Sequence, residues 1–156
     1  MAVTSGTTRR ARPLLGIVAL AIFAVIASAC RPPASAPAPS GAAAPSVVAM
    51  INGSRGAAPP LAVNDALTNL AADWANHLAI TGTLEHRDLN SVGGWSTLGE
   101  TIFVGSCGSA DAAIVNAWLG SPSHAAVLLS PAFTSAGVAR ICAPSGREWV
   151  VAVFGG

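Results

Sequence analysis

The stretch from Ser135 to Phe154, SAGVARICAPSGREWVVAVF, decides the fold. Two segments rich in Val and Ile, Ser135 to Cys142 and Glu148 to Phe154, flank Ala143-Pro-Ser-Gly146. β-branched runs separated by Pro and Gly read as an antiparallel hairpin. Upstream, Ile102 to Val104 offers a shorter strand, and most other apolar residues follow helical spacing. Helices and antiparallel strands thus mix without a regular β-α alternation, which argues for an α+β fold and against a doubly wound parallel sheet.

The helices carry their own punctuation. Asn64 can cap a helix whose Leu67, Leu70, Ala71, Trp74 and Leu78 keep one apolar face, and Gly82 supplies a left-handed stop. Trp74 is expected in the core, as are Trp118 and Trp149. A short helix is expected over Ser46 to Asn52, and Ser109 with Asp111 opens another that runs to Leu119. Ser121-Pro122 reads as a cap followed by Pro in the first turn, starting a short helix that carries His124.

The chain ahead of these elements differs in character. Arg9, Arg10 and Arg12 precede an uncharged run from Leu14 to Ile26 that ends in Ala27-Ser-Ala-Cys30, the layout of an export signal over residues 1–29. The run is shorter than the roughly 20 apolar residues of a membrane-spanning helix. Cys30 after a small residue resembles a bacterial lipobox, which makes Cys30 the lipidation site and anchors an outward-facing protein to the membrane. Ala27-x-Ala29 also suits an ordinary signal peptidase, which would release a secreted protein. Residues 31–45, RPPASAPAPSGAAAP, offer nothing to pack, so 30–45 reads as a lipidated cysteine and linker. As polyproline II, at ~3.1 Å per residue, this linker reaches at most about 45 Å. The folded domain is then 46–156, about 110 residues, enough for one core.

Eight arginines and seven acids give the chain +1, but only Arg55, Arg87, Arg140 and Arg147 fall in the domain, against all seven acids, leaving it at −3. That balance has no basic footprint for nucleic acid. A monomer is expected. With Cys30 lipidated, Cys107 and Cys142 remain as a pair in an oxidising compartment and are expected to form a disulfide, with two free thiols as the alternative. No C-x-x-C spacing suggests a thiolate zinc site.

Against this apolar background three polar stations stand out: Leu84-Glu-His86, Gly99-Glu100-Thr101 and Ser121-Pro-Ser-His124. Two neutral imidazoles and a carboxylate form many open zinc sites, whose bound water has a pKa of about 7. The spacing is unlike H-E-x-x-H and declares no metal by itself. Solvent-facing or structural roles suit the same residues. His77 reads as structural or exposed, and Trp95 as a packed loop anchor or a stacking residue at a cleft rim. No G-x-S-x-G elbow is present, and the chain has no tyrosine.

Taken in order, several blocks resemble the CAP superfamily, the SCP-like domain of cysteine-rich secretory proteins, antigen 5 and plant pathogenesis-related proteins. They are Ile51-Asn-Gly-Ser-Arg55, Pro60-Leu-Ala-Val-Asn64, Ala72-Asp-Trp74-Ala75, Gly82-Thr-Leu-Glu-His86, Gly99-Glu100, Ala117-Trp118-Leu-Gly-Ser-Pro-Ser-His124, Phe133-Thr-Ser-Ala-Gly137-Val138 and Trp149-Val-Val-Ala-Val-Phe154-Gly155. The resemblance spans Ser46 to Gly156 and implies a bacterial exported member. It implies an α-β-α sandwich with a small antiparallel sheet between helices, and a cleft holding two histidines and two acids.

Carried over by motif, the cleft residues are His86, Glu100 and His124. The second acid is missing, because Ser121 stands where family members often place a glutamate. Thr101, Ser123, Ala125 and Val127 also depart from the residues usual there, which alters the support around the histidines. The family has no common reaction, so the resemblance implies a binding module more than an enzyme. Its expected role is to take a lipid, a cell-wall ligand or a partner at the envelope. The alternatives are a zinc-dependent hydrolase, with zinc on His86 and His124 and Glu100 as third ligand or general base, and a structural envelope lipoprotein with a degenerate cleft.

Overall fold

The computed structural model describes residues 41–156; the expected export signal, the expected lipidation site Cys30 and residues 31–40 lie outside the described residues. Helix α1 (Pro45–Ser54) starts with Pro in its first turn, where a missing N–H leaves no bond unmade, and buries Val47, Val48 and Ile51. Helix α2 (Asp65–Thr81) has the expected ends: the Asn64 side chain accepts the Leu67 N–H, and Gly82 closes it at φ 69°. Helices α3 (Asp111–Leu119) and α4 (Pro122–Leu128) follow. Two caps differ from expectation. Ala110, not Ser109, precedes α3, and Ser121 holds the cap position of α4 without a side-chain bond to the helix. The Ser121 hydroxyl instead meets that of Ser123 at 3.3 Å.

The strands are β1 (Ala42–Ala43), β2 (Ala62–Val63), β3 (Leu98–Ser106), β4 (Ser135–Cys142) and β5 (Arg147–Gly155). Their order is β1-β4-β5-β3, antiparallel throughout, and β2 adds a short parallel pairing to β4. The β4–β5 hairpin is the one expected, in register from Ser135 opposite Gly155 to Cys142 opposite Glu148. Strand β3 is longer than the expected Ile102 to Val104, because it pairs with β5 from Leu98 to Ser106. Its Gly99, Glu100 and Gly105 have low strand propensity, so neighbour pairing rather than local preference extends it.

The folded unit also takes in residues that composition assigned to the linker. Ala42 and Ala43 pair with Arg140 and Ala139, and the Ala44 N–H donates to the Val138 carbonyl. These are backbone bonds, which an alanine-rich sequence does not advertise.

Alternation along β5 sorts the core into two layers. Val150, Ala152 and Phe154 pack with α1, α3 and α4 through Ile51, Ile114, Trp118 and Leu128. Trp149, Val151 and Val153 pack with α2 through Leu67, Ala71, Ala75 and Leu78. The result is an α-β-α sandwich. Each fully buried Leu or Val contributes roughly 1.5–3 kcal/mol of burial. Gly137 on β4 sets how closely α2 can approach, since a Cβ there would lie 2.0 Å from the Thr68 nitrogen.

At the end of the hairpin, Cys107 and Cys142 form the expected disulfide, with Cα atoms 5.4 Å apart. Beside it, Arg140 makes two bonds to buried Glu148, at 2.9 Å each, and a third to Asp111 at 2.8 Å. The Ser109 N–H also donates to Glu148. Together these contacts tie the start of α3 to the hairpin.

Candidate functional site

His86 lies in the loop after α2, and the outer face of α2 positions it. The Trp74 indole N–H donates to the Glu85 carbonyl at 2.9 Å. His77 stacks on Trp74 at 4.3 Å and reaches the Glu85 carboxylate at 3.0 Å, while the Arg87 guanidinium lies 5.3 Å from the Trp74 ring centre. Trp74 is therefore half-buried, not a core residue as its periodicity suggested. It serves as a platform for the His86 loop, because its indole N–H needs a polar partner that the core does not offer. His77 has a structural role in the same cluster.

Glu100 comes from β3, and its carboxylate is buried. The His86 Nδ1–H donates to Glu100 Oε1 at 2.8 Å, and the Arg87 backbone N–H donates to the same oxygen at 3.1 Å. In the neutral ring this assignment puts the proton on Nδ1 and leaves Nε2 as an acceptor. Burial pushes the Glu100 pKa above the usual glutamate value, although both hydrogen bonds and the nearby positive charges oppose the rise. Its second oxygen, Oε2, is buried without a hydrogen-bond partner.

His124 arrives on α4, with its ring centre 6.3 Å from that of His86 and the rings tilted by 56°. Burial lowers its pKa, and the neighbouring His86 adds to the effect. His86, Glu100 and His124 are thus brought together from a loop, a strand and a helix. Ser121 stands one turn before His124, and its hydroxyl contacts Ser123 rather than any of the three.

Arg55 is a site-supporting residue that sequence reasoning passed over. It is buried, and its guanidinium donates to the carbonyls of Pro59, Leu128, Ser130 and Phe133. Three of these lie at or just beyond the C-terminal end of α4, so Arg55 fixes the helix that carries His124. A lone charge in an otherwise uncharged segment from Ser46 to Asn64 was its signal. Arg140 left a similar trace, a cation inside an apolar strand across the hairpin turn from Glu148.

The donor set does not fit a catalytic zinc centre, which needs three protein ligands and an open position. Glu100 is engaged with His86 and Arg87, and Ser121 brings no carboxylate. Among the described residues, no three His, Cys, Asp or Glu side chains are placed to hold one metal ion.

Two neighbouring imidazoles and a buried carboxylate are thus carried on an α-β-α sandwich. The model of the cysteine-rich secretory protein family, CAP, matches residues 48–154, and the chain belongs to this family. Three solved structures share the fold. An outer surface protein from Borrelia burgdorferi is 21% identical with a TM-score of 0.63, over 74% of this chain and 97% of its own. An extracellular SCP-domain protein from Bacillus anthracis is 22% identical with a TM-score of 0.57, over 71% of this chain and 39% of its own. A cysteine-rich secretory protein from Staphylococcus aureus is 17% identical with a TM-score of 0.57, over 70% of this chain and 36% of its own. The last two are therefore much longer proteins than the region shared with this chain. Comparison with curated proteins finds no match.

Proposed function

We propose that this chain is an exported CAP domain, anchored to the membrane through Cys30, whose cleft at His86, Glu100 and His124 binds a ligand or partner outside the membrane without turning it over. The observation that carries the reading is the use made of Glu100. A buried carboxylate that holds His86 by Nδ1 and leaves Nε2 free orients an imidazole for recognition. A general base must itself reach the proton it removes.

Export is supported by the Cys107–Cys142 disulfide, which belongs to an oxidising compartment. It is also supported by the outer-surface and extracellular relatives that share the fold. Among the described residues no helix is long and apolar enough to cross a membrane.

One observation favours the zinc reading: a metal-bound histidine usually donates its other N–H to a carboxylate, as His86 does to Glu100. Among the described residues His86 and His124 would then be its two protein ligands, one short of the three that a catalytic zinc centre uses.

The test screens envelope lipids, cell-wall fragments and zinc against the full chain by thermal shift, with elemental analysis for bound metal. The binding reading expects an organic ligand to raise the melting temperature in the wild type and not in the His86→Ala, His124→Ala double variant. Stoichiometric zinc together with hydrolysis of a model ester, both lost in that variant, would replace it by the enzyme reading. A thermal shift retained by the variant would move binding out of this cleft.

A further inference from the structure

The 14-residue step between His86 and Glu100 encloses a second feature. The loop from Arg87 to Gly99 is tied shut at its ends, because the His86 ring and the Arg87 N–H both donate to Glu100 Oε1. Within it lies a surface recess of about 340 Å³, lined among others by Asn90, Val92, Trp95, Ser96 and Thr97. That volume falls at the lower end of the roughly 300–1,000 Å³ usual for small-molecule sites.

The walls are fixed in place. The Ser96 and Thr97 N–H groups donate to the Gly156 carbonyl at 3.1 and 3.2 Å, and the Gly156 N–H returns a bond to Thr97 at 3.2 Å. Trp95 lies against the Gly155 backbone so closely that a Cβ there would sit 2.4 Å from the indole. Both Asn90 donors, the backbone N–H and the side-chain amide, go to Asp88 Oδ1 at 3.0 and 3.1 Å. Among the described residues the Asn90 side-chain oxygen and the Ser96 and Thr97 hydroxyls have no protein partner.

No charged side chain lines the recess, and its exposed surface is mainly polar. An anion would find no cation there, and an acyl chain would find too little apolar wall. A half-buried indole beside free hydroxyl and amide oxygens suits a neutral ring whose C–H face packs on Trp95 and whose hydroxyls exchange hydrogen bonds with the rim. We propose that the Trp95 recess is a subsite for a neutral saccharide. The inference goes beyond the reading of His86, Glu100 and His124, adding a second site in the loop that the His86–Glu100 bond closes.

The test titrates the full chain with chitotetraose and with cellotetraose at up to millimolar concentrations, following the Trp95 indole N–H resonance by NMR. A sulfated oligosaccharide and phosphatidylglycerol vesicles serve as charged and lipid arms. A neutral tetrasaccharide is expected to shift Trp95 saturably. Trp95→Ala should weaken binding about tenfold, and the milder Asn90→Ala severalfold with an unchanged fold. Gly53→Ala, on α1 with open space around it, should keep the affinity unchanged. Absence of a saturable shift with either neutral probe overturns the inference, as does binding that both recess variants leave intact. Saccharide binding lost only in the His86→Ala, His124→Ala double variant removes the Trp95 assignment and preserves the cleft reading. A response confined to the sulfated or vesicle arm overturns the ligand class.

Discussion

Glu100, with a side chain only 2% exposed, holds the 59% exposed ring of His86 through a 2.8 Å hydrogen bond. A group shielded from water thus governs the orientation of one that faces it. The two sides of the cleft also differ in their response to protons, because burial raises the Glu100 pKa and lowers that of His124.

The two shifts give opposite pH slopes. Between the ordinary glutamate value and its own raised one, folded Glu100 keeps a proton that the unfolded chain has released, so its term makes stability fall as pH rises through that window. His124 behaves conversely: below the ordinary histidine value, about 6.5, the unfolded chain binds a proton that the folded chain has not taken up. Its term makes stability rise with pH through that window and is lost on acidification. Relative to wild type, Glu100→Gln should gain stability as pH rises through the glutamate window, and His124→Gln should gain it as pH falls through the histidine window. Urea midpoints measured across the acid range check this, and difference curves flat with pH would contradict it.

Removing Arg55 leaves four carbonyls without their donor, three of them at or just beyond the end of α4. Arg55→Ala should cost about 3 kcal/mol or more, since a buried unsatisfied acceptor costs roughly 1–3 kcal/mol. Arg55→Lys should recover only part, because an ammonium cannot fork to several carbonyls as a guanidinium does. Denaturant unfolding gives the loss. Faster amide hydrogen exchange at Leu128 and Leu129 would localise it to the helix of His124.

The disulfide closes a loop with a sequence separation of 35. Chain entropy then predicts a loss of about 4 kcal/mol on replacing Cys107 and Cys142 by alanine, less whatever the native state relaxes. The Arg140–Glu148–Asp111 contacts beside it should keep the hairpin end folded. The variant is therefore expected to unfold in one transition at lower urea, and two transitions would refute that.

Gly137 is the point of closest approach between β4 and α2. Gly137→Ala should destabilise by about 1–3 kcal/mol or more, because the clash is with helix backbone that cannot rotate away. Gly53, with nothing within 4 Å of an added Cβ, provides the control: Gly53→Ala should be neutral or slightly stabilising. Melting temperatures of the two variants make the comparison.

The sequence shows what local chemistry specifies. Asn64 and Gly82 delimit α2, and the turn at Ala143 to Gly146 sets the hairpin, because caps and turns act within a few residues. The motif order also grouped His86, Glu100 and His124, which neighbour one another in the fold. It did not reveal how Glu100 is used, since the partners of its carboxylate come from a loop fourteen positions earlier in the chain. Trp74 was misread because a stripe of apolar residues does not say where the protein ends and water begins. Strands β1 and β2, only two residues each, have no periodicity to detect and exist through the edge of β4.

The short β1 strand gives the domain a mechanical grading. A load entering through residue 41 meets first the two-residue pairing of Ala42 and Ala43 on β4, whose release uncovers little apolar surface. Only then does it reach α1, anchored by buried Val47, Val48 and Ile51. The entry point is thus expected to release before the sandwich that carries His86, Glu100 and His124.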